Sequence, residues 1–123
     1  MAGRSRIKLP RVPEEMRQWS ELLLQEVLDW PQVRSRPMFG MIAIYRGNQI
    51  FGALPRTRAM ETKYSISFKL PRRTPALNRA LAHDGRIVPS KKPGAKWISF
   101  EMRSGDDFRD AVEWLARAYR AAK

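Results

Sequence analysis

The apolar residues of this 123-residue chain change period twice, and that change limits the folds open to it. Met16, Trp19, Leu23, Val27 and Trp30 recur every three or four residues, as one face of a helix does. Phe108, Ala111, Val112, Leu115, Ala118 and Tyr119 repeat that spacing near the other end. Between them, Tyr64, Ile66, Phe68 and Leu70 alternate with Lys63, Ser65, Ser67 and Lys69, the period of a half-buried strand with a basic polar face. Two long helical stripes need an apolar sheet face to bury against, so the expected class is α+β.

Punctuation residues divide the rest. Pro13 suits a first helical turn, and Pro31 stops the first helix near Asp29 or Trp30. Leu22, Leu24 and Leu28 widen the apolar face of that helix, which suggests cover beyond a sheet edge. Residues 38–45 read as one strand, Arg46-Gly47-Asn48-Gln49 as a tight reversal, and residues 50–54 as the hairpin partner. Thr74 before Pro75 starts a short helix that Gly85 closes; Ile87 and Val88 form a brief strand, and residues 97–102 alternate again. Ser104 with Asp107 can cap the last helix. The expected order is helix, three strands, helix, two strands, helix, with an antiparallel sheet.

The whole charge surplus lies in the middle. Residues 30–100 hold 14 Lys and Arg against Glu61 and Asp84, whereas residues 1–29 and 101–123 are each balanced at five against five, for a net charge of +12. So one-sided a field suits an anionic partner. Residues 1–13 read as a flexible basic arm, with residues 14–123 as one domain. The candidate contacts are Lys63, Lys69, Arg72, Arg73, Lys91, Lys92, Lys96 and Trp97, an indole on the polar side of its strand that needs a cover. An acidic protein is the first partner class expected, and nucleic-acid phosphates held without base reading are the alternative. Self-association through Leu24, Leu28 and Trp97 is also expected, with no membrane partner and cytoplasmic residence as the default.

Enzyme chemistry finds little support. There is no Cys, and His83 is the sole His, so neither a thiolate site nor a structural zinc site can be assembled. Asp106, Asp107 and Asp110 stand at a helix start, where carboxylates offset exposed amide groups without any ion. Gly40, Gly47 and Gly52 lack the strand, turn and helix order of a phosphate cradle. No cofactor and no catalytic residue are expected.

Arg36-Pro37-Met38-Phe39-Gly40, continued by Ile44-Tyr45-Arg46-Gly47-Asn48-Gln49-Ile50-Phe51 and the strand ending Phe68-Lys69-Leu70, resembles the N-terminal domain family of the bacterial competence regulator TfoX, also called Sxy. The closing Val112-Glu113-Trp114-Leu115-Ala116-Arg117-Ala118 is similar to the end of that domain. Arg36, Met38, Phe39, Gly40 and Gly47 carry the motif, and Met41 stands where the family pattern has a second Gly. The resemblance implies a stand-alone regulatory domain with the element order above, some likeness to secretion chaperones, and no catalytic residues.

Overall fold

The first stripe folds as α1 (Glu14–Leu28), which buries Met16, Ser20, Leu23 and Val27; Glu14 and Glu15 complement its amide end. The computed structural model describes residues 9–89 and 94–122. After α1 come β1 (Val33–Met38), β2 (Met41–Arg46), β3 (Gln49–Pro55), β4 (Ser65–Lys69), α2 (Pro75–His83), β5 (Ile87–Val88) and β6 (Trp97–Glu101). A short 3-10 turn, Gly105–Asp107, leads into α3 (Phe108–Ala121). The strands form one antiparallel sheet in the order β1-β2-β3-β4-β6-β5.

α1 and α3 touch each other and both pack on β3. Phe51, Ile66, Phe68, Ile98 and Phe100 from the sheet meet Leu23, Val27, Trp114 and Leu115 in one core, and Leu81 of α2 joins it. Phe68 stacks on Trp114 with centroids 5.6 Å apart. Trp30, Phe51 and Tyr119 form a second aromatic group at 5.1 to 6.4 Å, tying the end of α1 to that of α3. Gly52 permits this packing, because a Cβ there would lie 2.9 Å from Ile44 Cδ1 and 3.2 Å from Leu115 Cδ2.

The Thr74 cap forms as expected, and the Ser104–Asp107 box forms on the 3-10 turn that leads into α3, whose own N-cap, Asp107, makes no capping bond. Thr74 Oγ1 accepts the Leu77 N–H at 3.1 Å with Pro75 opening α2. Ser104 Oγ accepts the Asp106 N–H while Asp107 Oδ2 accepts the Ser104 N–H, each at 3.2 Å. At the β2–β3 reversal, Gly47 is the first of two turn residues and has φ of 59°, which fits a type II′ turn.

The structure corrects the sequence reading in three places. Residues 38–45 are not one strand: the chain reverses at Phe39-Gly40, and β1 adds a fourth strand before α2. β1 is an edge strand whose middle residues are exposed, so it has no alternating apolar signal, and the edge position tolerates Pro37. The sheet face opposite the helices is not simply a solvated basic surface. Ser65 and Ser67 are each 1% exposed. Their hydroxyls are satisfied internally, by Thr62 for Ser65 and by Ser99 Oγ at 2.9 Å for Ser67. Finally, residues 9–13, expected in the mobile arm, are docked. Arg11 bridges Arg58, the Val12 N–H donates to Thr57 O and the Ala59 N–H to Pro10 O, each at 3.0 Å. Residues 1–8 of that arm lie outside the described residues.

Candidate interaction surfaces

Antiparallel pairing brings part of the expected basic set together at one end of the sheet. Lys69 on β4 lies directly opposite Trp97 on β6. The Leu70 N–H donates to Lys96 O at 2.8 Å, which holds the exposed Lys96 beside them. Arg72 is exposed in the connection to α2, while Arg73 is half-buried and donates to Ala95 O, so its guanidinium serves the loop. Trp97 and Lys69 are both half-buried. Lys91 and Lys92 lie outside the described residues. Lys63 does not join this group. It is exposed in the turn before β4, and the strand from Ser65 to Lys69 spans about 13 Å. Among the described residues, the cations in ion pairs are Arg17 and Arg86, so Lys69, Arg72 and Lys96 face no carboxylate there.

The motif residues Arg36, Met38, Phe39 and Gly40 sit at the opposite end. Met38 pairs with Met41 across a two-residue hairpin whose central residues, Phe39 and Gly40, have φ of 48° and 81°. Two positive φ values are the type I′ pattern, which normally takes Asn-Gly because a bulky side chain is strained there. Phe39 is nevertheless 83% exposed, so its ring gains nothing from burial within the chain. The turn is held by its neighbours: Gly40 O accepts the N–H groups of Arg56, Thr57 and Arg58 at 2.9 to 3.2 Å. A Cβ on Gly40 would come within 2.8 Å of Arg58 Cγ and Thr57 Oγ1. Arg36 is exposed opposite Ala43 on β2. Gly47 belongs to the other end of the sheet, where Arg34 donates to Gly47 O and Asn48 Oδ1 at 3.1 and 3.2 Å.

Beside this hairpin runs a groove of about 240 Å³ between α1 and the β2–β3 pair. Leu24, Leu28, Ile42, Leu54 and Pro55 line it together with the polar Arg17, Ser20, Glu21, Gln25 and Arg56. Leu28 is 41% exposed, and Leu22 on the neighbouring turn is 52% exposed, which agrees with the expected surplus apolar face of α1.

A third cluster escaped the sequence reading. The Arg86 guanidinium donates to Asp84 at 2.9 and 3.0 Å, to Asp107 at 2.6 Å and to Asp110 at 2.8 Å, and lies 4.8 Å from the Phe100 ring centre. Trp114 Nε1 adds a bond to Asp84 at 3.1 Å. Burial by itself would raise the Asp84 carboxyl, but the bonds from Arg86 and Trp114 hold it below the ordinary carboxylate value. Asp107 is lowered in the same way: burial opposes the shift, and the Arg103 N–H, Arg86 and the Ser104 N–H outweigh it. The bond to Asp84 above all keeps Arg86 charged despite its burial. With its donors so engaged, the node joins the end of α2 to the start of α3 and offers no open position for a reacting group. Asp84-Gly85-Arg86 was its one local trace in the sequence.

His83 ends α2 exposed, and Tyr64 packs against Trp19 at 5.9 Å rather than presenting a stacking platform. No helix among the described residues is long and apolar enough to cross a membrane. No protein-family model, curated protein or solved structure matches the chain.

Proposed function

We propose that the chain is a non-enzymatic regulatory interaction module of the TfoX N-terminal type, acting in the bacterial cytoplasm, whose basic sheet end docks an acidic protein surface. The observation that carries this reading is the cross-strand pair of Lys69 with a half-buried Trp97, flanked by Lys96 and Arg72 without carboxylate partners among the described residues. A half-buried indole provides contact area at little entropic cost, and cations around it steer an acidic surface into register. The family resemblance supports a regulatory role; Arg36, Met38, Phe39, Gly40 and Gly47 carry that likeness and contain no nucleophile or base.

The net charge of +12 favours a second reading, in which the same side chains hold nucleic-acid phosphates without reading bases. A salt series of binding to duplex DNA, single-stranded DNA and RNA separates the two. Failure on all three polymers, together with capture of an acidic protein that the Lys69→Glu/Lys96→Glu double variant loses, supports the first reading. Micromolar polymer binding at physiological salt that the double variant weakens replaces it with the second.

A further inference from the structure

The least economical feature of the fold is the hairpin tip. A left-handed conformation at a bulky residue persists only where the surroundings enforce it, and such strain collects at working sites. The three N–H groups converging on Gly40 O provide that enforcement, and the residue they strain is a fully projecting Phe39. An Asn would fit the turn better and would keep an apolar ring out of water. The strain is explained if the ring is buried in a complex.

We propose that Phe39 inserts into the α1 groove of a second copy of this chain, and that two copies exchange these contacts about a two-fold axis. Three observations select a second copy as the occupant. First, five of the ten residues lining the groove are apolar, and it has room for a ring: cavities of about 150 Å³ accept benzene, and this one measures about 240 Å³. Second, the charges of the two surfaces are opposite. Residues 14–29, which contain α1, hold five acids, Glu14, Glu15, Glu21, Glu26 and Asp29, all exposed, against Arg17. Toward the hairpin end, Arg36, Arg56 and Arg58 meet no acid within residues 30–60, Arg56 at the edge of the groove itself, while Arg34 and Arg46 are held at the other end of the sheet by Gly47 O and Tyr119 O. The whole-chain charge of +12 would oppose self-association if it were spread evenly; this segregation turns the encounter into attraction. Third, knob and groove adjoin. Ile42 of the groove is three residues beyond Phe39, and Pro55 of the groove pairs with Met41. Adjacent complementary features on one patch are what an isologous interface requires, since each copy then gives and receives the same contact. This surface lies away from Lys69 and Trp97, so the inference stands independently of the acidic-partner reading.

The test is light scattering and sedimentation equilibrium across a wide concentration range, on the full chain and on two single variants. The full chain is expected to dimerise. Phe39→Gly should raise the dissociation constant at least tenfold, yet should raise the melting temperature of the dilute monomer, because glycine relieves the turn. Loss of association with gain of stability is a combination that damage to the fold cannot produce. Leu28→Arg, at an already exposed position, should block the groove with a similar loss. Mixing the two variants should restore a heterodimer through one intact knob and one intact groove. A benzoyl-phenylalanine at position 39 should crosslink to the Leu24 to Leu28 turn of another copy. A chain that stays monomeric at the highest concentration, or a Phe39→Gly dimer of unchanged affinity, overturns the proposal. A crosslink in cell extract to a different polypeptide, with no self-crosslink, overturns the second copy as occupant.

Discussion

Arginine serves opposite purposes at Arg86 and at the β1–β2 hairpin. Arg86 directs four hydrogen bonds at three carboxylates and lies over Phe100, so its charge is used up inside the fold. Arg36 and Arg56 near the hairpin are exposed, with no ion pair among the described residues, beside a ring that is itself unburied. The difference is a matter of convergence. Carboxylates from the end of α2 and the start of α3 meet at Arg86, whereas residues 30–60 contain no acid to meet the hairpin arginines. A cation surrounded by its own chain's acids stabilises the fold, and one left without them is available to a partner.

Replacing the arginine at each place should break that symmetry most sharply. Arg86→Ala strands Asp84 and Asp107, whose side chains are each 13% exposed. The expected loss is about 3 kcal/mol, at the low end for a largely buried pair because Asp110 is half in water. Arg36→Ala should change stability by under about 0.5 kcal/mol, as for an exposed side chain without a special role. Urea unfolding of both variants gives the contrast directly; comparable losses would remove it.

The hairpin has its own structural requirement, at the residue after the ring. Gly40→Ala meets both the positive φ and the collision with Thr57 and Arg58, and is expected to cost about 2 kcal/mol. Thermal melts would read this as a drop of several degrees, with the unfolding transition still cooperative.

Acid should bring the two regions closer together. Asp84 and Asp107 are held below the ordinary carboxylate value, so the unfolded chain takes up protons first as pH falls. The node's contribution is therefore complete above the unfolded value of about 3.9 and is lost as pH falls through the lowered folded values. The stability gap between the natural chain and Arg86→Ala should narrow below about pH 4, while any gap at Arg36 stays flat. Denaturation curves at a series of acid pH values check both halves.

A change at the ring itself has the opposite sign. Phe39→Asn should stabilise the dilute chain by about 1 kcal/mol, since Asn adopts a left-handed conformation with less strain. A destabilised variant would mean that the ring contributes to the fold despite its 83% exposure.

Much of the scaffold was legible because local rules and burial agree there. The α1 and α3 stripes, the inward set Ile66, Phe68 and Leu70, the Thr74 and Ser104 caps and the Gly47 reversal all depend on neighbours a few residues away. Edge strand β1 was not legible, because a strand that buries almost nothing leaves no apolar alternation. Ser65 and Ser67 read as polar and therefore solvated, but a hydroxyl bonded to Thr62 or to Ser99 has no need of water.

The sequence by itself determined the class of the fold, its helices, the alternation of its central strand and the basic middle of the chain, since these follow from composition and short-range periodicity. Only the tertiary structure decided which charges are taken. Arg86 and its acids are separated by up to 24 residues, and Lys69 meets Trp97 through strand pairing alone. It also exposed the strain at Phe39, because a positive φ is a property of the closed hairpin and of the loop that clamps Gly40. Contacts between distant segments depend on how the whole chain closes on its core, and no local pattern records that closure.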